Sequence, residues 1–458
     1  MRIAFYNPPA ATPVIRRYMC SYNAGENLYP NIELLGLAAH AESEGHTAVY
    51  IDCIAEGFGG SSGLAALKTF RPDVVVSLLG LECFGADIAE MLAVKGELPE
   101  AKVGIMGYYA TMYPEKCVEK GMDFVLLGEG EQGLSGYLKG DLAAPGLATK
   151  ERVNRDGRRL SEDEYNRLPH PAHHLIKPGA YGELGLGSPL TVAQFTRGCP
   201  YPCSYCVRSY GRKTVNRSVE NVLKELEDIA RLGIRYVRFL DDTFTTDKKW
   251  AAAICEGIVQ RGIKLAWGAL SRADTLDGEL LKLMKRAGCR RIFIGIESGS
   301  QRVLDYYKKG YKVERIPSSV RLARKAGLET VGFFLLGAPF ETIEDVQQSM
   351  DMARKCDLDY VIVTKLVIYP GTELENELRD MAAVDPWEGV HRFADEKREM
   401  EILEWERLFY RSFYTSYSGI RTGVRTLFRQ PVRTLRAAAS IMRFALSSGQ
   451  DKSHPDYL

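Results

Sequence analysis

The stretch LTVAQFTRGCPYPCSYCVRS, residues 190–209, joins an apolar run to three cysteines, Cys199, Cys203 and Cys206, packed into eight positions. LTVAQFT reads as a buried strand, and Gly198, Pro200 and Pro202 shape the following segment into a tight loop instead of a helix. Three thiols are an odd number for disulfides and one too few for a closed zinc site. They match a cubane iron–sulfur cluster with one iron left open, because such clusters normally take four thiolates. Zinc is the alternative, and nothing near 199–206 supplies its fourth ligand.

Downstream of this loop the alternation continues. YVRFLDD, LAWGAL, RIFIGIE, TVGFFLLG and YVIVTKLVIYP read as strands, and helix-like stretches lie at 217–232, 247–261, 277–287, from 300 onward, at 313–326 and at 342–355. Six strand–helix units predict a partial (β/α)6 barrel over 189–383, with its chemistry at the carboxyl ends of the strands. Upstream, residues 1–140 carry RIAFYN, AVYID, DVVVSLL, KVGIMG and DFVLLG, interleaved with helical patterns. Strands so continuously apolar predict an α/β fold, a doubly wound, Rossmann-like parallel sheet covered on both faces. Ligands of such sheets sit at the strand tips, which here are Asn7, Leu79, Gly80, Gly107, Tyr108 and Gly128. Residues 141–188 lack periodicity and read as a linker; without acid or cysteine at metal-ligand spacing, His170, His173 and His174 read as loop residues.

A formal net charge of +1 and 45% hydrophobic residues describe an ordinary globular chain and exclude a disordered or polyanion-binding class, so no nucleic-acid partner is expected. MRIAFYNPP is not a secretory leader and no long uncharged stretch reads as a span, so the expectation is a cytoplasmic protein. Thiols stay reduced there, and Cys20, Cys53, Cys83, Cys117, Cys255, Cys289 and Cys356 read as small buried hydrophobes. Charge is distributed unevenly: residues 1–140 hold 10 Lys/Arg against 17 Asp/Glu, whereas 407–450 hold eight Arg and no acid. In the helical region 384–458, Ile420, Val424 and Leu427 share a face opposite Arg421, Arg425 and Arg429, and the pattern repeats after Pro431. Amphipathic helices with basic polar faces suit a membrane-surface contact through 417–446. The alternative is a helical cap whose arginines are solvated or pair with the acidic N-terminal domain.

CPYPCSYC resembles the CxxxCxΦC signature of the radical S-adenosylmethionine (radical SAM) superfamily, with Tyr205 as its aromatic residue. The resemblance implies a [4Fe-4S] cluster on Cys199, Cys203 and Cys206, whose open iron is chelated by S-adenosylmethionine, and a 5′-deoxyadenosyl radical as the oxidant of substrate. It implies further that Asp241 and Asp242 contact the methionyl ammonium, although the usual glycine-glycine-glutamate pattern is absent and both could cap the next helix. Arg272, beside Ser271, would pair with the methionyl carboxylate or else with Asp274. Glu297 and Ser298 would hold the ribose, and Gly337 would pass under the adenine.

A doubly wound domain ahead of such a barrel is similar to the cobalamin-binding subgroup, which includes radical methyltransferases and ring-forming enzymes. The Asp-x-His-x-x-Gly motif that supplies a histidine to cobalt in many cobalamin proteins is missing, and Asn7-Pro8-Pro9-Ala10-Ala11 stands in its place. Cobalamin held without a histidine, another ligand, and an empty structural domain are the three readings. The resemblance implies an enzyme acting on an unactivated carbon of a hydrophobic small molecule, with C-methylation first and radical cyclisation or oxidation second, and an electron donor such as flavodoxin or ferredoxin. From another class, the alternative is a non-catalytic iron–sulfur or zinc scaffold.

Overall fold

A computed structural model describes residues 1–446 apart from 19–20, 24–25, 158, 208–209 and 386–389; Cys20 and the end of the tail, 447–458, lie outside the described residues. In the N-terminal unit, β1 (Arg2–Asn7), β2 (Thr47–Asp52), β3 (Val74–Leu78), β4 (Lys102–Met106) and β5 (Phe124–Leu126) form a parallel sheet in the order β2-β1-β3-β4-β5. Ile3 and Phe5 enter the core on one side of the sheet, Ala4 and Tyr6 the core on the other, which is why the strand reads as continuously apolar. Strand order reverses between β1 and β3, the switch point of a doubly wound fold. The stretch 141–188 is more than a linker: β6 (Leu147–Thr149) and β7 (Val153–Asn154) extend the sheet antiparallel beyond β5. Strands of two or three residues are too short to show a period in sequence.

The second unit is the half-barrel. β8 (Leu190–Ala193), β9 (Tyr236–Phe239), β10 (Ala266–Arg272), β11 (Cys289–Glu297), β12 (Glu329–Leu336) and β13 (Tyr360–Lys365) pair in sequence order, all parallel. Its helices start where side-chain oxygens accept their free amides: Ser218 caps Val219–Arg231, Asp247 caps Lys248–Arg261 and Asp277 caps Gly278–Arg286. Because Asp247 is the cap, Asp241 and Asp242 are not. The exposed edge at β13 is covered by the helix Glu396–Tyr414, whose Tyr410 hydroxyl accepts from the Val363 amide at 3.0 Å and donates to its carbonyl at 3.2 Å.

The following helix, Tyr417–Arg429, turns its arginines inward. Arg421 bonds Asp357 at 2.8 Å, Arg425 bonds Asp359 at 3.0 Å and Arg429 bonds Glu329 at 2.8 Å. All three acceptors belong to the amino-terminal end of the barrel, so these three arginines pair there and not with the acidic N-terminal domain. The apolar face, with Ile420, Val424 and Phe428, points outward. Among the described residues no helix is long and apolar enough to cross a membrane.

Candidate active site at the barrel mouth

The cysteine loop is pinned at its root. After β8 the chain forms a two-residue ladder, Thr196–Arg197 against Val215–Asn216, that closes the loop at its neck. Gly198 has φ +92°, and a Cβ there would lie 2.4 Å from the Lys213 carbonyl oxygen, so the neck requires glycine. Asp241, at the tip of β9, accepts from the amides of Phe195 at 2.9 Å and Thr196 at 2.7 Å with Oδ1. Burial pushes this carboxyl up to about 7, and Oδ2 has no partner among the described residues. Asp241 therefore braces the loop with one oxygen.

Cys199, Cys203 and Cys206 are free thiols. Burial raises the pKa of Cys199 and Cys206, and the charge of Asp242 and of the neighbouring cysteines raises them further. Thiols in that situation ionise against strong positive charge, which iron provides. No three His, Cys, Asp or Glu side chains among the described residues are spaced around a single metal ion. A cubane, which gives each thiolate its own iron, needs no such convergence, and the donor set fits it.

The next strand tips ring this loop. The Arg272 guanidinium, buried at the end of β10, gives Asp274 two hydrogen bonds at 3.0 and 3.1 Å, bonds the Lys309 carbonyl, and lies 3.5 Å from Cys203 Sγ. It also stacks 3.8 Å over Tyr201 of the cysteine loop. Ser271 is occupied otherwise, in a buried hydroxyl cluster with Thr245 and Thr275. At the end of β11 the register shifts, and Glu297 sits at φ +65° with Oε1 2.9 Å from Lys309 Nζ. Gly295 leaves room for this pair, since a Cβ there would meet Glu297 Oε1 at 2.7 Å. Burial alone would lower the Lys309 ammonium, and the negative charge of Glu297, together with Tyr311 and Cys203, raises it. Tyr205 lies beside the same carboxylate, its ring 5.1 Å from that of Tyr307. Ser298 is wholly buried, holding Ser349 and the Ser300 amide at 3.1 Å each. Gly337, at φ +109°, donates to Glu341 Oε2 at 2.6 Å, and Ala338 donates to the same oxygen at 3.1 Å.

The carboxyl ends of the two sheets face each other. Arg197 bonds Glu129 at 2.7 Å and Glu131 at 2.6 Å, and Tyr18 stacks on Tyr210 at 5.8 Å. Tyr369 bonds Glu82 at 3.0 Å, and the Tyr108 hydroxyl donates to the Pro370 carbonyl. At the switch point, Asn7 is locked between Asp52 at 2.8 Å and Arg16 at 3.0 Å, and Arg16 pairs with Asp87 at 2.7 Å, both fully enclosed. Gly80 gives its amide to Asp87 at 3.1 Å. Gly107, at φ +130°, is required by Leu79, whose carbonyl would lie 2.7 Å from a Cβ. Before Gly128 there is open space, with no atom within 4 Å of a Cβ position. These tips offer backbone, glycine and the Tyr108 ring. Five of the seven histidines lie elsewhere: His40 bonds Ser135, His46 bonds the Met1 amine at the opposite end of β1, and His170, His173 and His174 bond Asp228, Glu225 and Glu42.

Sequence reasoning missed Lys309, Glu341, Arg16 and the Arg197 clamp. Each acts through a partner distant in sequence or within an irregular turn, and the GEGE run that holds Glu129 and Glu131 is a weak signal by itself.

Residues 193–353 match the family model of the radical SAM superfamily. The chain is 32% identical over 410 residues to an uncharacterized methyltransferase of Pyrococcus horikoshii, covering 83% of this chain and 87% of that protein. It is 28% identical to the cytidylyl-2-hydroxyethylphosphonate methyltransferase of Streptomyces wedmorensis, over 78% of this chain and 79% of the relative. In fold it is similar to the radical SAM methyltransferase TsrM of Kitasatospora setae, solved with cobalamin and a [4Fe-4S] cluster, with a TM-score of 0.69, 18% identity, and 96% and 99% of the two chains covered. With its three-cysteine loop and its half-barrel, the chain belongs to the radical SAM superfamily.

Proposed function

We propose that the chain is a cobalamin-dependent radical SAM enzyme that methylates an unactivated carbon of a hydrophobic small molecule. The observation that carries this reading is the facing of two carboxyl-terminal sheet ends, joined through Arg197 to Glu129 and Glu131, with the three-cysteine loop, Arg272 and the Glu297–Lys309 pair at the barrel side of that junction. When bound, the reduced cluster supplies the electron that splits S-adenosylmethionine into methionine and a 5′-deoxyadenosyl radical, and cobalamin supplies the methyl group.

The chain's own residues bind and orient. Asp242 attracts the methionyl ammonium, and Arg272, fixed by Asp274 and Tyr201, directs positive charge to the thiolates and the methionyl carboxylate. Glu297 keeps one oxygen on Lys309 and offers the other to the ribose. Tyr18, Tyr108 and Tyr210, clustered where the units meet, support an apolar substrate and exclude water from it. A one-electron donor such as flavodoxin or ferredoxin serves each cleavage, and the outward apolar face of the tail suits contact with a membrane surface.

The test is anaerobic purification with cobalamin supplied during expression. Stoichiometric cobalamin retained through gel filtration, together with 5′-deoxyadenosine formed after reduction, is the expected result, and Cys199→Ala, Cys203→Ala or Cys206→Ala should each remove iron and cleavage while sparing the fold. A cluster-loaded protein that retains no cobalamin would withdraw methyl transfer in favour of cyclisation or oxidation.

A further inference from the structure

The amino-terminal end of the barrel, opposite the cysteines, carries two features that the proposed reaction does not use. One is a cleft of 1010 Å³ between the strand starts and the inner face of Tyr417–Arg429. Arg235, Lys264, Arg286 and Arg290 line it, are exposed, and make no ion pair among the described residues. Arg324, Arg421, Arg425 and Arg429 line it too, and the carboxylates in its wall are Glu329 and Asp359, so positive charge is in large excess. Burial, and then Arg290, lower the Lys285 ammonium at the same place.

The other feature is the outer face of the tail. Ile420, Val424, Phe428, Val432, Leu435 and Met442 are exposed along two consecutive helices, Phe428 by 85% and Leu435 by 61%. A soluble chain rarely leaves so long an apolar stripe uncovered. Arg436 and Arg443 border it, and residues 407–446 contain no acid. Self-association through this face would set the same arginines of two copies together with no carboxylate from either. An anionic surface with an apolar interior matches both the stripe and its border.

We propose that this end of the barrel docks on an anionic lipid surface, with the apolar stripe entering the headgroup boundary and the exposed Arg235, Lys264, Arg286 and Arg290 of the same barrel end attracting its phosphates. The docking does not rest on the methyl-transfer reading. It lies at the far end of the strands from the cysteines, so it anchors the enzyme and leaves S-adenosylmethionine cleavage unchanged.

The experiment is vesicle flotation of the full-length, cluster-loaded protein. Vesicles of equal parts phosphatidylglycerol and phosphatidylcholine are expected to carry the protein, and phosphatidylcholine alone or high salt to carry at least about tenfold less. Phe428→Asp combined with Leu435→Asp should abolish flotation, and Arg286→Gln with Arg290→Gln should weaken it roughly fivefold per charge. Unchanged circular dichroism and cleavage show that these surface variants are folded. Equal binding to neutral vesicles, binding to neither, or indifference to the apolar substitutions would overturn the proposal. So would lipid-free self-association abolished by Phe428→Asp, which would assign the face to a second copy.

Discussion

Glu297 is a glutamate at φ +65°, a backbone region that side chains with a Cβ enter at a cost of about 1 kcal/mol or more. The shift of register in β11 and the ion pair to Lys309 hold it there, so its carboxylate is aimed before any ligand arrives. Asp242 is placed differently, by burial next to the thiols. Glu297→Gln and Asp242→Asn are each expected to weaken S-adenosylmethionine binding about ten- to a hundredfold, the loss of one charge-assisted hydrogen bond. Iron content should not change. Calorimetric titration of anaerobic protein checks this, and unchanged affinity in both variants would make these side chains structural. Much of the site at this scale was readable in sequence, because cysteine spacing and polar residues ending apolar runs are local signals. Lys309 was not, since a lysine beyond a helix reads as surface until the ion pair with Glu297, twelve residues earlier, is seen.

At the scale of elements, the turn after β12 depends on Glu341. Its Oε2 accepts from the Gly337 and Ala338 amides, and burial pushes its carboxyl up to about 7 against those hydrogen bonds. A carboxyl raised on folding binds more protons folded than unfolded between about 4.5 and 7, so its contribution is full below that window and declines as pH rises through it. Wild-type stability is therefore expected to fall, relative to Glu341→Gln, by on the order of 2–3 kcal/mol between pH 4.5 and pH 7.5, with no further change above. Denaturant midpoints of both proteins at each pH test it, and a pH-independent difference would show that folding leaves the Glu341 pKa unshifted. Strands and helices of this unit were legible from their periods. The tail shows the limit of that method: periodicity defines two faces of Tyr417–Arg429 but does not say which one turns inward. Asp357, Asp359 and Glu329, between 64 and 100 residues earlier, decide it.

Across the whole molecule, the histidines described near the N-terminal sheet are engaged away from its tips, and the switch point is filled by Arg16, Asn7 and Asp87. Protein loaded with cobalamin and reduced to Co(II) is expected to give an electron paramagnetic resonance spectrum without axial nitrogen superhyperfine splitting. Clear splitting would show a nitrogen ligand on cobalt. The two-unit architecture was legible from alternating strands and helices, whereas their mutual arrangement was not, because the contacts that set it are single side chains in loops. Arg197 is the clearest of them. Its guanidinium, two residues before the first cluster cysteine, is enclosed by Tyr165, Tyr210 and two carboxylates that belong to the other unit. An enclosed cation cannot be left behind without its anions. The barrel and the sheet therefore cannot be exchanged between relatives as independent modules: a chimera that took a new N-terminal domain without Glu129 and Glu131 would strand a charge at the root of the cysteine loop, so the pair has to be inherited together.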